Sequence, residues 1–175
     1  MREFEVVAHR PMVWSGMSGP SRVVTEFLAH VRMPGDADAA RRLMHGTLRC
    51  HQVVSERPET IIRSPEDYAA HVREMRDRLG QFSYRVTELL SEEDLVYVRW
   101  TQRGHDLRDE DGTPGSGVPL CEVGSAVYRV ADGRIAEYWV QLDRLGLAIQ
   151  LEDSRRDGVA PDGRSDAHPT RRHTT

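Results

Sequence analysis

Residues 134–143, RIAEYWVQLD, alternate as a β-strand does, and one alternating set mixes carboxyl, amide and aromatic side chains. This set contains Glu137, Trp139, Gln141 and Asp143. A carboxyl group in an apolar pocket has a raised pKa, which brings it toward the range where general acids and bases work best. We therefore predict that this face lines an apolar pocket, with Asp143 as the catalytic acid or base and the other three side chains contacting substrate.

The spacing of the two acids limits how they could act together. Glu137 and Asp143 lie about 20 Å apart in an extended strand, at ~3.3 Å per residue, so they cannot form a touching pair. Glu137 either serves the far end of a long pocket or pairs with Arg99 or Arg129. Asp143 has a structural alternative as well, in which it caps the following RLGL turn.

Two histidines are further candidates. His105 follows a predicted strand, and its imidazole could donate a proton or orient substrate at the pocket mouth, because an unperturbed imidazole titrates near neutrality. The alternative for His105 is a surface loop histidine. His51 lies mid-strand in LRCHQVV and is either a substrate-binding group or a histidine satisfied in the core. The sequence has no HxH, HExxH, CxxC, GxGxxG or P-loop pattern, so we expect no metal and no nucleotide cofactor.

The elements that position these residues can be read from periodicity. Apolar side chains at helical spacing predict a helix from Ser21 to about residue 31 and a short second helix near residues 36–44. Ser64 as N-cap, Pro65 at the first position and Gly80 at the end define a third helix. One strand is predicted before it, at 47–55, and everything after it is predicted to be β-structure. Those later strands form two hairpins, 82–91 with 95–103 and 120–130 with 134–143, joined by EED and ADG.

This order predicts an α+β fold, in which a cone-shaped, curved antiparallel sheet is covered by about three N-terminal helices. The other face of the last strand is too apolar for open water, so we expect a second copy of the protein to cover it; it carries Ala136, Tyr138, Val140 and Leu142. Residues 1–19 are predicted to be an arm and 20–151 the domain. Residues 152–175, with almost no apolar content, are predicted to be a disordered tail.

Chain length, net charge, apolar runs and cysteine content limit which classes of function the sequence supports. The chain has 175 residues and a formal net charge of −4, which gives no electrostatic case for binding nucleic acid or an anionic membrane. There is no apolar run long enough to span a bilayer and no secretory signal. Cys50 and Cys121 are isolated in the sequence, which is typical of unpaired thiols in a reducing cytoplasm.

The final hairpin carries a family resemblance. DGRIAEYWVQLDRLGLAIQL resembles the end of the SnoaL-like polyketide cyclases, and LVYVRWTQRGH resembles the strand before it. Residues 20–151 agree in helix order and length. The wider superfamily is that of cone-shaped α+β barrels such as nuclear transport factor 2 and ketosteroid isomerase. Asp143 fits the terminal acid of this hairpin motif. His105 matches the polar residue that follows RWTxxG in the strand before it, although Gly104-His105-Asp106 precedes a longer, acidic, glycine-rich segment than in many relatives.

The resemblance implies a homodimer packed through the outer sheet face, and a deep apolar cavity. It also implies ring closure by intramolecular aldol condensation, with no metal and no Schiff base. We therefore predict a cofactor-independent cytoplasmic cyclase, acting on a small, apolar, carbonyl-bearing polyketide-like intermediate of antibiotic or other secondary metabolism. Asp143 would abstract the proton, and Gln141 or His105 would hydrogen-bond the enolate. The alternatives are an epoxide-opening cyclase or hydrolase, a cofactor-free hydroxylase, and a non-catalytic ligand-binding dimer.

Overall fold

The computed structural model describes residues 4–6, 19–108 and 112–157. Four helices pack with a curved, unclosed sheet, which confirms the predicted α+β class. The helices are α1 (Pro20–Phe27), which continues as a π-helical turn (Leu28–Arg32), α2 (Ala37–Leu43), α3 (Pro65–Leu79) and α4 (Arg144–Asp157). The strands are β1 (Phe4–Val6), β2 (Met44–Gln52), β3 (Glu59–Arg63), β4 (Ser83–Glu92), β5 (Leu95–His105), β6 (Pro119–Ala131) and β7 (Arg134–Leu142).

Local sequence signals account for the ends of α3 and for both hairpins. Ser64 accepts a hydrogen bond from the Asp67 backbone, and the Asp67 carboxylate accepts one from the Ser64 backbone, so the two form a capping box. The β4–β5 turn places Glu93 at φ 50°. The β6–β7 turn has positive φ at both Asp132 and Gly133, which is the geometry that Asp-Gly favours between twisted strands.

The sheet has the order β1-β4-β5-β6-β7-β2-β3. Its neighbours are antiparallel, as predicted, except for β2 and β7, which run parallel and make the sheet a mixed one. These two strands come from opposite ends of the domain, and their meeting depends on how the helices between them pack. A strand pattern specifies which residues alternate but not which distant strand lies alongside.

The segment after β7 also differs from the prediction. Residues 144–157 form helix α4, although everything after α3 was predicted to be β-structure. The Gln150 side chain binds both the backbone N–H and the C=O of Cys121, each at 2.8 Å, beyond the last pairing of β7 with β6. Helix α4 thus covers the sheet edge that the end of β7 leaves open.

The chain boundaries stay predictions. Residues 4–6 of the predicted arm pair with β4 as strand β1. Helix α4 continues through the first six residues of the predicted tail, 152–157, and the rest of the tail lies outside the described residues.

The core lies between α1–α3 and one face of the sheet. Its aromatic centre brings Phe27 from α1 and Tyr68 from α3 onto Tyr128 and Tyr138, with ring centroids 5.3–6.1 Å apart. A second aromatic pair, Tyr84 and Trp100, stacks at 5.4 Å further along the same face. All six rings lie in the buried core.

A bulge at Ala136 sets which face of β7 meets this core. Ile135 pairs with Val130 and Glu137 pairs with Arg129, so Ala136 is the extra residue between them. Ile135 and Tyr138 are both buried with the helices, whereas Glu137 and Trp139 lie on the outer face. The predicted faces of β7 are therefore reversed from residue 136 onward: the apolar set with Tyr138 faces the helices, and no second copy of the protein is needed to cover it.

Candidate active site

A buried polar cluster lies between the helices and the inner face of β4, β5 and β6. Its centre is Arg32, which is only 8% exposed. The Arg32 guanidinium Nη2 donates a hydrogen bond of 2.7 Å to Oε1 of Gln102. The guanidinium carbon lies 5.5 Å from the ring centroid of Phe82 and 5.2 Å from that of Tyr84. The charge is therefore held between aromatic walls, where cation–π attraction stabilises it.

Local structure explains why these polar groups point inward. Arg32 closes the π-helical turn, in which the Met33 N–H reaches back five residues to the Leu28 carbonyl. Such wide turns occur frequently at functional sites. Gln102 alternates with Trp100 along β5 and is 1% exposed, and Glu122 lies directly opposite it on β6.

The electrostatics of Glu122 suit acid–base chemistry. Burial raises the pKa of the Glu122 carboxyl above its ordinary value, and the nearby positive charge of Arg32 only partly opposes this effect. A carboxyl group with a raised pKa can both take up and return a proton near neutral pH. Arg32 and Gln102 supply hydrogen-bond donors that could stabilise negative charge developing on a substrate oxygen.

The aromatic side chains around the cluster remain neutral hydrogen-bond donors. Burial raises the pKa of Tyr68 to about 12, and it raises the pKa of Tyr84 above the ordinary range as well. The Tyr84 hydroxyl and the Trp100 indole N–H are buried without a partner among the described residues, and so is Nη1 of Arg32. A buried donor without a partner costs about 1–3 kcal/mol, so an acceptor that reached these three donors would be stabilised.

The structure places the two predicted catalytic residues outside this cluster. The Asp143 side chain is exposed, and its Oδ1 accepts a hydrogen bond of 2.9 Å from the backbone N–H of Gly146. Asp143 thus caps α4, as the structural alternative supposed, and lies outside the inner cluster, so its catalytic role stays a prediction. His105 ends β5 on the exposed side and lines a shallow depression of about 340 Å³ together with Cys121 and Gln150.

The four predicted substrate-binding residues do come together, but on the outer face of the sheet. His51 Nε2 lies 2.8 Å from Glu137 Oε1, and the His51 ring stacks on Trp139 at 5.1 Å. Gln141 lines the same depression of about 500 Å³ as His51 and Trp139. Arg129 donates to Glu137 at 2.9 Å, which confirms one of the two predicted arginine partners. Ligand binding by this outer cluster stays a prediction.

None of the residues that form the inner cluster was predicted from the sequence to be a site residue. Glu122 shares its alternation with Ala126 and Tyr128, two inward residues, and this could have placed it inside. Gln102 likewise follows Trp100 on the inward face of β5. Arg32 lies four residues after Leu28 on the apolar stripe of α1, but a terminal arginine on a helix is usually solvated, so its burial had no clear signal.

Within the described ranges, no group of three or more histidine, cysteine, aspartate or glutamate side chains is arranged to hold a metal ion. No helix in those ranges combines the length and apolar character that crossing a bilayer requires. Cys50 is buried and Cys121 half-buried, and both are unpaired as predicted.

Comparison with known proteins identifies the family of this chain. The sequence model of the SnoaL-like polyketide cyclases matches residues 22–151. The chain belongs to the SnoaL-like polyketide cyclase family. No curated protein matches its sequence.

Solved structures agree with the family assignment at the level of the fold. A candidate polyketide cyclase from Acidithiobacillus ferrooxidans is 21% identical, with a TM-score of 0.67 over 82% of this chain and 99% of its own. IdmH, a candidate polyketide cyclase from Streptomyces antibioticus, is 24% identical, with a TM-score of 0.64 over 77% and 99%. AclR, a candidate hydroxylase from Streptomyces galilaeus, is 18% identical, with a TM-score of 0.61 over 83% and 89%.

Proposed function

We propose that this SnoaL-like protein is a cofactor-independent cyclase of a small, carbonyl-bearing, polyketide-like intermediate, and that Glu122 is its general acid and base. The observation that carries the proposal is the position of Glu122. It lies on the inward face of β6 opposite Gln102, within the electrostatic reach of Arg32, and burial raises its pKa. A substrate of this kind implies a role in secondary metabolism, such as antibiotic biosynthesis, in the cytoplasm.

The proposed reaction is the addition step of an intramolecular aldol condensation, which loses no water. The Glu122 carboxylate removes a proton from the carbon next to a substrate carbonyl, and the electron pair of that C–H bond moves to the carbonyl oxygen as an enolate. The amide of Gln102 donates a hydrogen bond to the enolate oxygen, and the positive charge of Arg32 stabilises the enolate through space. The enolate carbon then bonds to a second carbonyl carbon of the same molecule. The Glu122 carboxylic acid returns its proton to the resulting alkoxide, so the ring closes without net gain or loss of atoms.

The aromatic side chains around the cluster contribute to catalysis by positioning the substrate. Tyr84, Trp100 and Phe82 surround the polar groups with flat, rigid surfaces. A chain held against such surfaces has its two reacting ends close together, and this positioning can supply roughly 7 kcal/mol of the barrier. The walls also exclude water, which strengthens the electrostatic contribution of Arg32.

The proposal is tested by deuterium exchange at an activated carbon. Benzoylacetone, a small 1,3-diketone, is incubated with the protein in D₂O, and exchange of its α-proton is followed by NMR. We expect Glu122→Gln to slow enzyme-dependent exchange at least ~100-fold, the usual contribution of general acid–base catalysis. Glu92→Gln, at an exposed position on β4, is the matched control and should keep the wild-type rate.

Benzoylacetone affinity, measured alongside exchange, distinguishes an enzyme from a non-catalytic ligand-binding protein. Loss of exchange with benzoylacetone affinity retained in Glu122→Gln supports catalysis. A wild-type protein that binds benzoylacetone but does not accelerate exchange would support the non-catalytic alternative, and exchange that survives Glu122→Gln would remove Glu122 from the mechanism.

We also propose a homodimer through the outer face of the sheet. The register aligns one cross-strand row over β4 to β7 on that face, consisting of Leu90, Tyr97, Val127 and Trp139. Leu90 is 66% exposed and the other three are half-buried. An apolar row of this extent on a sheet face is typical of a protein–protein contact.

A further inference from the structure

We propose that the buried Arg32 cluster selects substrates that carry a carboxylate, and that this anion binds the three unpartnered donors of Arg32, Tyr84 and Trp100. This inference rests on the proposed function, because it names the chemical class of the cyclase substrate. The inference describes how the substrate is held, whereas the proposed role of Glu122 describes how the substrate reacts.

Among the described residues, no carboxylate is hydrogen-bonded to the Arg32 guanidinium, and Glu122 acts on its charge only through space. An arginine side chain stays protonated in proteins, so the buried guanidinium carries a full positive charge. Within the described ranges, its Nη2 donates a hydrogen bond to the neutral amide of Gln102. Burial raises the pKa of the Glu122 carboxyl, and no hydrogen bond in the described part of the chain joins that carboxyl to Arg32. A ligand carboxylate would supply the missing negative charge.

The remaining groups each offer a hydrogen-bond donor to the same cluster. Arg32 Nη1, the Tyr84 hydroxyl and the Trp100 indole N–H are all buried, and none has a partner among the described residues. The Tyr84 ring contacts both the guanidinium, at 5.2 Å, and the Trp100 ring, at 5.4 Å, so the three groups belong to one cluster. An indole and a guanidinium can only donate, and an ionised carboxylate can only accept.

The walls of the cluster limit the shape of the ligand. The guanidinium is held between the rings of Phe82 and Tyr84, and Trp100 stacks beside them. Flat aromatic surfaces favour flat ligands. The substrate class is therefore a planar, unsaturated or aromatic carboxylic acid rather than its ester or amide.

The test compares two probes of nearly equal shape, 2-naphthoate and 2-naphthamide, by calorimetric titration. We expect the wild-type protein to bind the carboxylate at least ~10-fold more tightly, as a charge-assisted hydrogen bond to a buried arginine would give. Arg32→Met should remove this preference, because it lowers the carboxylate affinity more than the amide affinity. Arg103→Met, at an exposed position on β5, is the matched control and should keep the preference.

A second variant keeps the proposal falsifiable if Arg32→Met does not fold. Tyr84→Phe removes only an unpartnered hydroxyl, so it should fold as well as wild type and lower the carboxylate affinity several-fold with little effect on the amide. Equal affinity of wild type for the two probes, or no binding of either, contradicts the proposal. So does a preference that survives both variants. Deuterium exchange on neutral benzoylacetone is independent of this preference, so the two proposals can fail separately.

Discussion

Burial raises the pKa of the Glu122 carboxyl, and the folded protein therefore holds a proton there more tightly than the unfolded chain does. The stabilisation from protonated Glu122 is complete below the ordinary pKa of a glutamate. It is lost as pH rises through the higher pKa of the folded state. A residue suited to acid–base chemistry thus makes the folded protein less stable as the solution becomes more alkaline.

Glu122→Gln should remove this loss, because the amide does not titrate. We expect the wild-type free energy of unfolding to fall relative to that of Glu122→Gln between about pH 5 and pH 8, starting just above the ordinary glutamate range. Urea unfolding across that range measures the difference, with Glu92→Gln as the control that follows wild type. Parallel profiles for wild type and Glu122→Gln would show that the fold does not perturb this carboxyl.

Strand β6 passes close to the indole of Trp100 at Gly124, which has no side chain to clash with the ring. A Cβ on Gly124 would lie 2.6 Å from Trp100 Cζ2 and 2.8 Å from Leu142 Cδ2. The glycine therefore makes room for the ring that forms one wall of the inner cluster.

Gly124→Ala should displace Trp100 and destabilise the protein by about 1–3 kcal/mol, the usual effect of overpacking a core. Thermal or urea unfolding measures it. Gly46→Ala on β2 is the control, because a Cβ there would contact nothing within 4 Å and should leave stability unchanged. Equal stability of the two variants would mean that the ring shifts freely.

Helix α4 begins at the Asp143 cap, and this element decides between the two interpretations of that residue. Asp143→Ala should destabilise the protein by about 1 kcal/mol, whereas Asp143→Ser should retain the cap and most of the stability. Both variants should keep the wild-type rate of benzoylacetone exchange, since the carboxyl lies outside the inner cluster. Loss of exchange in Asp143→Ser, with stability retained, would instead restore the catalytic role predicted from the sequence.

At the scale of the whole molecule, the apolar row on the outer face predicts self-association. Val127→Lys places a charge in the middle of the row between Tyr97 and Trp139, and a buried unpaired charge is strongly unfavourable. We expect wild type to sediment as a dimer and Val127→Lys as a monomer with its fold intact by circular dichroism. Leu145→Lys, at an exposed site on α4, is the control and should remain dimeric. A monomeric wild type would contradict the proposed interface.

The sequence by itself determined those features that neighbouring residues control. The Ser64 cap, the Gly80 end of α3 and the Asp-Gly hairpin all follow from contacts within a few positions. Caps, turns and the two-residue period of a strand act over this short range. The family resemblance came from the same kind of contiguous pattern.

Only the tertiary structure decided which faces and which residues make the site. One extra residue at Ala136 moves Glu137 and Trp139 to the outer face, because a strand alternates every residue and a single bulge reverses it. The inner cluster takes Arg32 from the helices, Gln102 from β5 and Glu122 from β6, and 70 residues separate Arg32 from the Gln102 that it binds. Such a site exists only when distant segments pack together, so no local pattern in the sequence could specify it.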